Sequence, residues 1–376
     1  MFFNGSSSLR WQSNVFYEDE QEEEDLLLVI SPGLEVNVGR GLSNLDLSLI
    51  TRYDIMRYDD LSHLDDEYFH IKAIGAYKSG RWDLNGLVSF DEEQSTSGQE
   101  GGFRNRGEIV ESDNLRATFG GEYSLSPKFS VGLDLRYADK EYINNDELSD
   151  RESFTVPIDI FYELTPKVDL SVGYEYRTEE IGKIEMGDAT NGFLANSYDK
   201  ETHYFNVGAR GNLLPKLTGR LKVGYRMTDL DNSRIVRIQS GSKAFSEVKR
   251  DTQDTLGLDA NLTHLTTPKL TTFLRLHRGF DVGGQGQSTT NTSANLSASY
   301  ALNDRFSASS FFGYTLREYE ESDDDDNVYG AGVRLSYVPN RYWSFSTGYN
   351  YIENDSDRNR QDYENHTIDL SASLRY

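Results

Sequence analysis

Apolar and polar residues alternate one by one along most of the chain. From Phe129 to Tyr137 every second residue is apolar, and serine, glycine, aspartate and arginine fill the positions between. The same alternation returns over residues 168–177, 220–227 and 367–376. A period of two residues predicts β-strands that have one apolar and one polar face. Because no segment carries a competing helical stripe, the sequence predicts an all-β protein.

Two kinds of connection alternate between the predicted strands. The short kind combines Pro or Asn with a cation and leads directly into an alternating run, as in Ser126-Pro127-Lys128, Thr165-Pro166-Lys167, Leu214-Pro215-Lys216, Thr267-Pro268-Lys269, Asn303-Asp304-Arg305 and Pro339-Asn340-Arg341. The long kind is acidic and covers residues 18–25, 91–113, 179–201, 230–252, 321–327 and 354–362. This arrangement is typical of bacterial outer-membrane barrels. We therefore expect short periplasmic turns and long acidic extracellular loops.

The alternating runs predict one closed antiparallel transmembrane β-barrel of about 18 strands, with 16 as the alternative. Lipid offers the backbone no hydrogen-bond partner, so the first and last strands should pair and leave no free edge. No domain boundary interrupts the repeat, and residues 1–376 are predicted to form a single barrel domain. The predicted strands lie near residues 7–17, 26–38, 43–57, 67–78, 81–91, 113–124, 128–142, 152–163, 167–178, 202–213, 217–229, 253–264, 269–281, 291–302, 305–319, 327–338, 341–353 and 363–376.

Aromatic residues bracket the apolar face at a fixed spacing in several strands. The two members of each pair are eight residues apart: Phe69 with Tyr77, Trp82 with Phe90, Phe129 with Tyr137, Phe306 with Tyr314, and Trp343 with Tyr351. Eight residues of strand cover roughly 26 Å, or about 20 Å along the membrane normal at a tilt near ~40°, close to the ~25 Å apolar band of such barrels. These residues and the terminal Tyr376 are therefore predicted to form a lipid-facing aromatic girdle.

The composition is compatible with this fold and excludes several others. The 62 acidic and 38 basic residues give a net charge of −24, which excludes a basic nucleic-acid-binding protein. The mean hydropathy is −0.64 and the longest aliphatic run covers only residues 26–30, so no transmembrane helix is expected. Low hydropathy still fits a barrel whose polar face lines a lumen. The 24 Tyr, 19 Phe and 3 Trp argue against intrinsic disorder.

The N-terminus has neither a basic region nor an apolar stretch of the kind that a signal peptide needs. The chain is therefore either cytosolic or has lost a signal peptide, and the barrel pattern favours the second interpretation. Cysteine is absent, which excludes a disulfide framework and thiolate metal sites and fits passage through an oxidising periplasm. We expect an integral protein of the bacterial outer membrane.

The polar strand faces are predicted to line an aqueous lumen, because about 18 strands enclose more space than side chains fill unless a loop folds in. A wall that mixes cations and carboxylates favours a hydrated, neutral or weakly charged solute. The densest cationic stretch could form an anion track, although the more ordinary interpretation is that inward charges pair across strands. The predicted pore-lining residues are Arg52, Arg116, Asp134, Arg136, Glu175, Arg177, Arg210, Arg220, Lys222, Arg226, Arg275, Arg334 and Asp369, of which Arg210, Arg220, Lys222 and Arg226 form that stretch.

The sequence contains only weak candidates for a metal-binding or catalytic site. The acidic run at residues 323–326 offers oxygens for Ca²⁺ but lacks the Gly and spaced Glu of the calcium-binding loop, so it is interpreted as a solvated loop. The six histidines form no HExxH or comparable pair. His203 near Ser197 and Asp199 is the least poor candidate for a hydrolase. We expect no catalytic residue, no metal and no cofactor.

Two groups of short motifs resemble a known family. The form Tyr-x-Leu-Ser/Thr-Pro-Lys-apolar at residues 123–129 and 162–168, and the segments 13–16 and 30–34, are similar to those of outer-membrane β-barrel porins found with exopolysaccharide-biosynthesis loci. The terminal Tyr376 after alternating residues also looks like the C-terminal signal that the barrel-insertion machinery reads. The resemblance implies a passive outer-membrane conduit for secreted polysaccharide.

Other functions stay open at this stage. A general diffusion porin for small solutes would differ only in its lumenal constriction, and a plugged structural or adhesin barrel would conduct nothing. An outer-membrane hydrolase is a further alternative. The expected partners are outer-membrane lipids and lipopolysaccharide, the barrel-insertion machinery and, for an export conduit, periplasmic polysaccharide-export components. Nucleic acid is not expected as a partner.

Overall fold

Eighteen strands form one antiparallel sheet in the computed structural model, which describes residues 1–39, 44–100, 108–143, 145–187, 191–320, 322, 324–358 and 361–376. This confirms the predicted number rather than the alternative of 16. The barrel strands are β1 (Phe2–Gln12), β2 (Asp25–Val38), β3 (Leu45–Tyr58), β4 (Asp66–Lys78), β5 (Trp82–Thr96), β6 (Ile109–Ser124), β7 (Phe129–Ile143), β8 (Arg151–Thr165), β9 (Val168–Ile181), β12 (Tyr198–Leu214), β13 (Leu217–Leu230), β16 (Gln253–Leu265), β17 (Leu270–Val282), β18 (Ser288–Ala301), β19 (Phe306–Tyr319), β20 (Asp325–Tyr337), β21 (Trp343–Ser356) and β22 (Tyr363–Arg375).

Pairing between the first and last strands closes the barrel, as predicted. Strand β1 pairs with β22 from Asn4 opposite Arg375 to Gln12 opposite Thr367. Beyond this ladder, Phe3 and Tyr376 exchange backbone hydrogen bonds of 2.8 and 2.9 Å. The sheet therefore has no free edge, which is the condition for a β-structure surrounded by hydrocarbon.

Short and long connections lie at opposite ends of the barrel. The short connections include the two-residue Pro215–Lys216 turn between β12 and β13, in which Lys216 has a φ of 66°. Proline fixes the backbone of the first turn position, and the second residue takes the left-handed conformation that reverses the chain. We call this the turn end and the opposite one the loop end. Parts of the predicted acidic loops, including Asp323, lie outside the described residues.

The first strand begins earlier than predicted. The sequence predicts a strand near residues 7–17, whereas β1 covers Phe2–Gln12. Its serine-rich sequence carries little alternation, so its position is set by pairing with β2 and β22. The apolar residues that attracted the prediction leave the sheet instead, because Val15 packs against Leu27 and Tyr58 at the loop end.

The long loops contain four strands that the sequence pattern does not predict. Strands β10 (Ile184–Gly187) and β11 (Gly192–Ala195) belong to one loop, and β14 (Ser233–Gln239) and β15 (Ser242–Val248) belong to the next. They form a separate four-stranded sheet through the pairing of β11 with β14. A 3-10 turn, Ser62–Leu64, lies in the loop between β3 and β4.

The outer face of the barrel is apolar and solvent-accessible in the isolated chain. Ile160, Val172, Val207 and Val223 lie side by side on neighbouring strands and are 39% to 63% exposed. Contiguous exposed apolar surface of this kind marks a face that another apolar phase covers. No described residue belongs to a helix that is long and apolar enough to cross a bilayer.

Candidate functional site in the barrel lumen

Ion pairs between strands that are not neighbours identify the inner face of the wall. Arg210 on β12 donates to both carboxylate oxygens of Glu122 on β6, at 2.7 Å each, although β7, β8 and β9 lie between. Only a concave face brings such side chains together. Since successive side chains in a strand alternate between faces, this pair fixes which residues of every neighbouring strand point inward.

A second bridge crosses the lumenal side of β9 and β12. The Lys222 ammonium on β13 lies 2.6 and 2.7 Å from the carboxylate oxygens of Asp159 on β8. Gly173 lies beneath this bridge, where an added Cβ would come within 2.3 Å of the Asp159 carboxylate. Gly208 lies beside it, and a Cβ there would come within 3.1 Å of the Lys222 side chain. These inward glycines leave the space that the bridge occupies.

A continuous chain of charges crosses the same wall nearer its middle. Arg136 contacts Asp134 at 3.2 Å and Glu175 at 3.6 Å, and Arg226 contacts Glu175 at 3.6 Å. Arg226 also donates to Asp259 at 2.6 Å, and its guanidinium lies 3.8 Å from the ring centre of the buried Tyr204. His277 completes the chain with a 2.7 Å contact to Asp259. The wall from β7 to β17 is thus tied together by paired charges.

The remaining predicted pore-lining residues divide into two groups. Arg334 is bonded to Asp369 through two contacts of 2.9 Å, Arg52 to Asp54 at 2.9 Å, and Arg177 to Glu179 at 2.5 Å. Arg116, Arg220 and Arg275 are exposed and form no ion pair with any described residue. The predicted anion track of Arg210, Arg220, Lys222 and Arg226 is therefore not continuous, because carboxylates neutralise every member except Arg220.

The hairpin of β17 and β18 separates from β16 at the loop end and reaches over the mouth, while β18 stays paired with β19 as far as Thr289. Pairing of β16 with β17 ends at Leu258 opposite Arg278, whereas β17 continues to Val282. Residues 282–290 are all buried. We call residues 279–291 the hairpin tip. It is held by backbone acceptors: Lys200 donates to Asp281 at 2.8 Å, and Tyr198 donates to Gly286 at 2.6 Å.

The hairpin tip ends against two loops, those that follow β5 and β7. Gly284 N–H donates to the carbonyl of Glu100 at 2.9 Å, and the Gly284 carbonyl accepts from Ser149 N–H at 2.8 Å. Glu100 belongs to the loop between β5 and β6, and Ser149 to the loop between β7 and β8. Val282 packs with Ile181, Tyr198 and Leu230. The tip therefore covers part of the mouth, so a loop does fold in over the lumen.

Glu100 anchors this contact to the wall. Its carboxylate accepts from Lys140 at 2.7 and 2.8 Å, from Tyr142 at 2.6 Å and from Ser95 at 2.7 Å. Burial raises the pKa of Glu100, but the charge of the Lys140 ammonium and the hydrogen bonds from Lys140, Ser95 and Tyr142 outweigh burial, and the pKa lies below its ordinary value. The carboxylate is therefore ionised at neutral pH and holds the loop in place.

The family comparison covers almost the whole chain. The model of the family described as "Putative beta-barrel porin 2" matches residues 5–376. The chain belongs to this family. Family membership together with the closed 18-stranded barrel makes this porin an integral protein of the outer membrane. The association of the family with exopolysaccharide loci remains a prediction.

Several solved structures are similar to the porin at low sequence identity. The ferric yersiniabactin uptake receptor FyuA from Yersinia pestis is 8% identical, with a TM-score of 0.49, and the match covers 100% of the porin and 80% of FyuA. OpdL from Pseudomonas aeruginosa is 12% identical, with a TM-score of 0.46 and coverage of 100% and 98%. Likeness at this level says nothing about what the porin transports. The comparison with curated proteins gave no match.

The residues of the predicted aromatic girdle lie on the outer face of the porin, by the alternation that the lumenal ion pairs fix. At the turn end Trp82 packs on Tyr123 at 4.5 Å between ring centres, Phe129 on Tyr162 at 5.2 Å, and Phe306 on Tyr337 at 4.5 Å. Trp343 stacks on Phe345 at 5.9 Å, and Tyr376 lies 5.7 Å from Tyr342. Their contact with lipid stays a prediction.

The remaining aromatic residues of the predicted girdle lie on the same face. Tyr314 packs on Tyr329 at 5.2 Å, and Tyr351 lies 5.0 Å from the His366 ring. In the strand registers Phe69 lies opposite Tyr53, Tyr77 opposite Leu45, Phe90 opposite Ile71, and Tyr137 opposite Phe154. Neighbouring strands thus contribute further aromatic rings that the eight-residue spacing did not include.

The weaker candidates for chemistry are not assembled into sites among the described residues. His203 hydrogen-bonds Tyr174 at 2.9 Å rather than Ser197 or Asp199. Asp326, from the acidic run, is buried in contact with Arg358 at 2.7 Å and Tyr319 at 2.6 Å. In the described part of the chain no three His, Asp or Glu side chains are arranged to hold a metal ion.

Sequence reasoning missed the parts of the lumen that lie outside the charge pattern. Nothing in the sequence of the Gly-rich residues 283–286 shows that they turn inward over the mouth. Two inward aromatic residues, Phe273 and Phe311, were also missed. For these a signal exists, because Phe273 is two residues from Arg275 and therefore shares its face.

Proposed function

We propose that the porin is a passive outer-membrane conduit through which an exopolysaccharide leaves the cell. The observation that carries this proposal is the pairwise neutralisation of most of the predicted lumenal cations. Arg210, Lys222, Arg226 and Arg334 each bind a carboxylate. A wall of paired charges is hydrated but has little net field, so it suits a polyhydroxylated polymer better than a small ion that needs a selective field.

The proposed direction follows from the two ends of the barrel. In this proposal the turn end faces the periplasm and the loop end faces the outside, which is the usual orientation of outer-membrane barrels. Polymer would enter from the turn end and leave at the loop end.

We also infer that the porin acts without catalysis. The hydrogen bond between His203 and Tyr174 supports this inference, since it leaves the candidate hydrolase residues apart. A lipid and peptide hydrolysis assay on the purified porin tests it. Turnover that is lost in the His203→Ala variant would contradict the inference.

The hairpin tip favours a second candidate, a diffusion porin for small solutes. The hydrogen bonds from Gly284 to Glu100 and from Ser149 to Gly284 hold the tip across the mouth, and a narrow mouth admits small molecules more readily than a polymer. Under the export proposal the tip must move aside during transport. The two functions therefore differ in whether the tip is displaced.

Polymer retention in a deletion strain tests the export proposal. We expect the strain to retain polymer in the periplasm and a plasmid copy of the porin to restore secretion. Normal secretion from the deletion strain would refute export.

A further inference from the structure

Four polar side chains form a row across neighbouring strands near the turn end of the lumen. Arg220 on β13 lies opposite Asn261 on β16, which lies opposite Arg275 on β17, which lies opposite Asn295 on β18. The row shares its face with the lumenal Asp259 and His277, two residues along β16 and β17. We call these four residues the Arg–Asn row.

The side chains of the Arg–Asn row are exposed and have no protein partner. All four side chains are exposed to solvent. Within the described part of the chain none of them forms an ion pair or a side-chain hydrogen bond. Arg220 interacts electrostatically with Glu122, but both carboxylate oxygens of Glu122 are bonded to Arg210. The nearest carboxylate along β16, Asp259, is occupied by Arg226 and His277. Two guanidinium groups and two amides therefore remain available to a solute.

Two aromatic rings border the Arg–Asn row on its turn side. Phe273 lies opposite Ser297, which lies opposite Phe311, two residues from the row on each strand. The inward direction of Phe311 is also shown by Gly332, where an added Cβ would come within 2.4 Å of the Phe311 ring. The two phenyl side chains are 39% and 42% exposed. Exposed phenyl rings are unusual on a wall that is mostly polar, and each offers an apolar face to the lumen.

We propose that the Arg–Asn row with Phe273 and Phe311 is a binding site for carboxylate-bearing sugar units of a polysaccharide. The planar guanidinium fork of an arginine matches a carboxylate through two parallel hydrogen bonds. Asparagine amides both donate to and accept from sugar hydroxyls. The flat aromatic rings pack against the apolar C–H face of a pyranose. The proposal rests on the proposed export function and names the class of its substrate.

The position of the site fits a polymer that enters from the turn end. Arg220 lies three residues from the first residue of β13, and Arg275 lies five residues from the first residue of β17, both at the turn end. The row continues on β19 and β20 as Gly313 and Gly330, which have no side chain to obstruct a bound chain. The site thus lies along the wall and leaves the axis of the lumen open.

Current block in planar bilayers tests the site on the purified full-length porin. The probes are a hexamer of a uronic acid, a neutral glucose hexamer and a sulfated glucose hexamer, each added to one side at a time. We expect the uronate hexamer to block at a concentration at least about tenfold below that for the neutral hexamer. In the Arg220→Gln/Arg275→Gln double variant we expect this advantage to disappear, because two charge-assisted contacts are lost.

Arg116→Gln is the matched control, since it removes one exposed, unpaired lumenal cation from a different part of the wall. It should retain the preference for uronate, whereas Phe273→Ala/Phe311→Ala should weaken the block by uronate and neutral hexamers alike. Equal block by uronate and neutral hexamers in the parent, or an unchanged preference in the double variant, would overturn the site. Equal block by the sulfated hexamer would overturn the assignment to carboxylate. Secretion in the deletion strain tests export separately, so either proposal can fail alone.

Discussion

The guanidinium of Arg210 holds both oxygens of Glu122 at 2.7 Å across three intervening strands of the wall. Arg210 also donates to Asp169 at 2.9 Å, and its guanidinium lies 3.5 Å from the ring centre of Phe161. One side chain thus joins β6, β8, β9 and β12. Such a contact requires the wall to curve strongly between β6 and β12, so the lumenal charges stabilise the shape of the barrel as well as lining it.

The Arg210–Glu122 pair should contribute measurably to stability. Exposed ion pairs contribute about 0–1 kcal/mol, and removing one partner of a buried pair costs about 3–5 kcal/mol, so this half-buried pair should show a coupling energy of roughly 1–3 kcal/mol. A double-mutant cycle with Arg210→Gln and Glu122→Gln, measured by urea unfolding in lipid vesicles, gives that energy. The exposed pair Lys78–Asp83, in contact at 2.8 Å, is the matched control and should give a value near zero. Equal values for both pairs would contradict the prediction.

Conductance should depend on the ionisation of Glu100. The lowered pKa means that the contact is fully stabilised above the ordinary value of 4.5 and is lost as the pH falls through the lower value of the folded porin. Single-channel conductance should therefore rise when the loop side is acidified below the ordinary pKa of a glutamate. Glu100→Gln should conduct more than the parent at neutral pH and lose this pH dependence. Glu185→Gln changes an exposed carboxylate of a loop and should behave like the parent.

Glycine at position 173 should be required for the Lys222–Asp159 bridge. An alanine Cβ there would lie 2.3 Å from the Asp159 carboxylate and 2.7 Å from the Asn206 amide oxygen, so these side chains must move. Overpacking of this kind costs about 1–3 kcal/mol of unfolding free energy. Gly5→Ala, in β1, meets no atom within 4 Å and should be neutral. Equal unfolding free energies for the two variants would show that the bridge adapts without cost.

A charged side chain on the outer face, in the middle of the apolar band, should lower the unfolding free energy of the porin. Ile158 is 42% exposed and lies four residues from both Phe154 and Tyr162, which pair with the girdle residues Tyr137 and Phe129. Ile158→Arg should lower the unfolding free energy in vesicles by about 2–4 kcal/mol. Asn261→Arg places the same side chain on the lumenal face and should cost little. Tolerance of arginine at Ile158 would mean that this face does not contact hydrocarbon.

The sequence carries most of the information that places a strand in the wall. A residue such as Leu133 or Val172 is apolar because it faces outward, and its neighbours are polar because they face inward. The resulting period of two can be recognised from the sequence alone. Pro-Lys pairs such as Pro215–Lys216 mark the turns because they restrict the backbone locally. The same parity places Arg210 and Glu122 on one face but gives no indication that they meet.

Contacts between distant segments have no local signature. Val15 was predicted to extend the first strand and instead packs against Leu27 and Tyr58, because a loop can bury apolar residues as well as a strand can. Phe273 was assigned no role because aromatic residues were expected on the outer face. In each case the deciding factor is which other segment the residue meets.

The sequence by itself determined the all-β class, the strand number, the two faces and the closure of the barrel, because alternation and backbone satisfaction in lipid act on each strand and its neighbours. Only the tertiary structure decided which lumenal charges neutralise one another, that the hairpin tip crosses to Glu100, and that Arg220 and Arg275 remain unpaired. Those outcomes depend on the curvature of the wall and on the reach of side chains across it. Neither the curvature nor the reach can be predicted from the order of residues along a single strand.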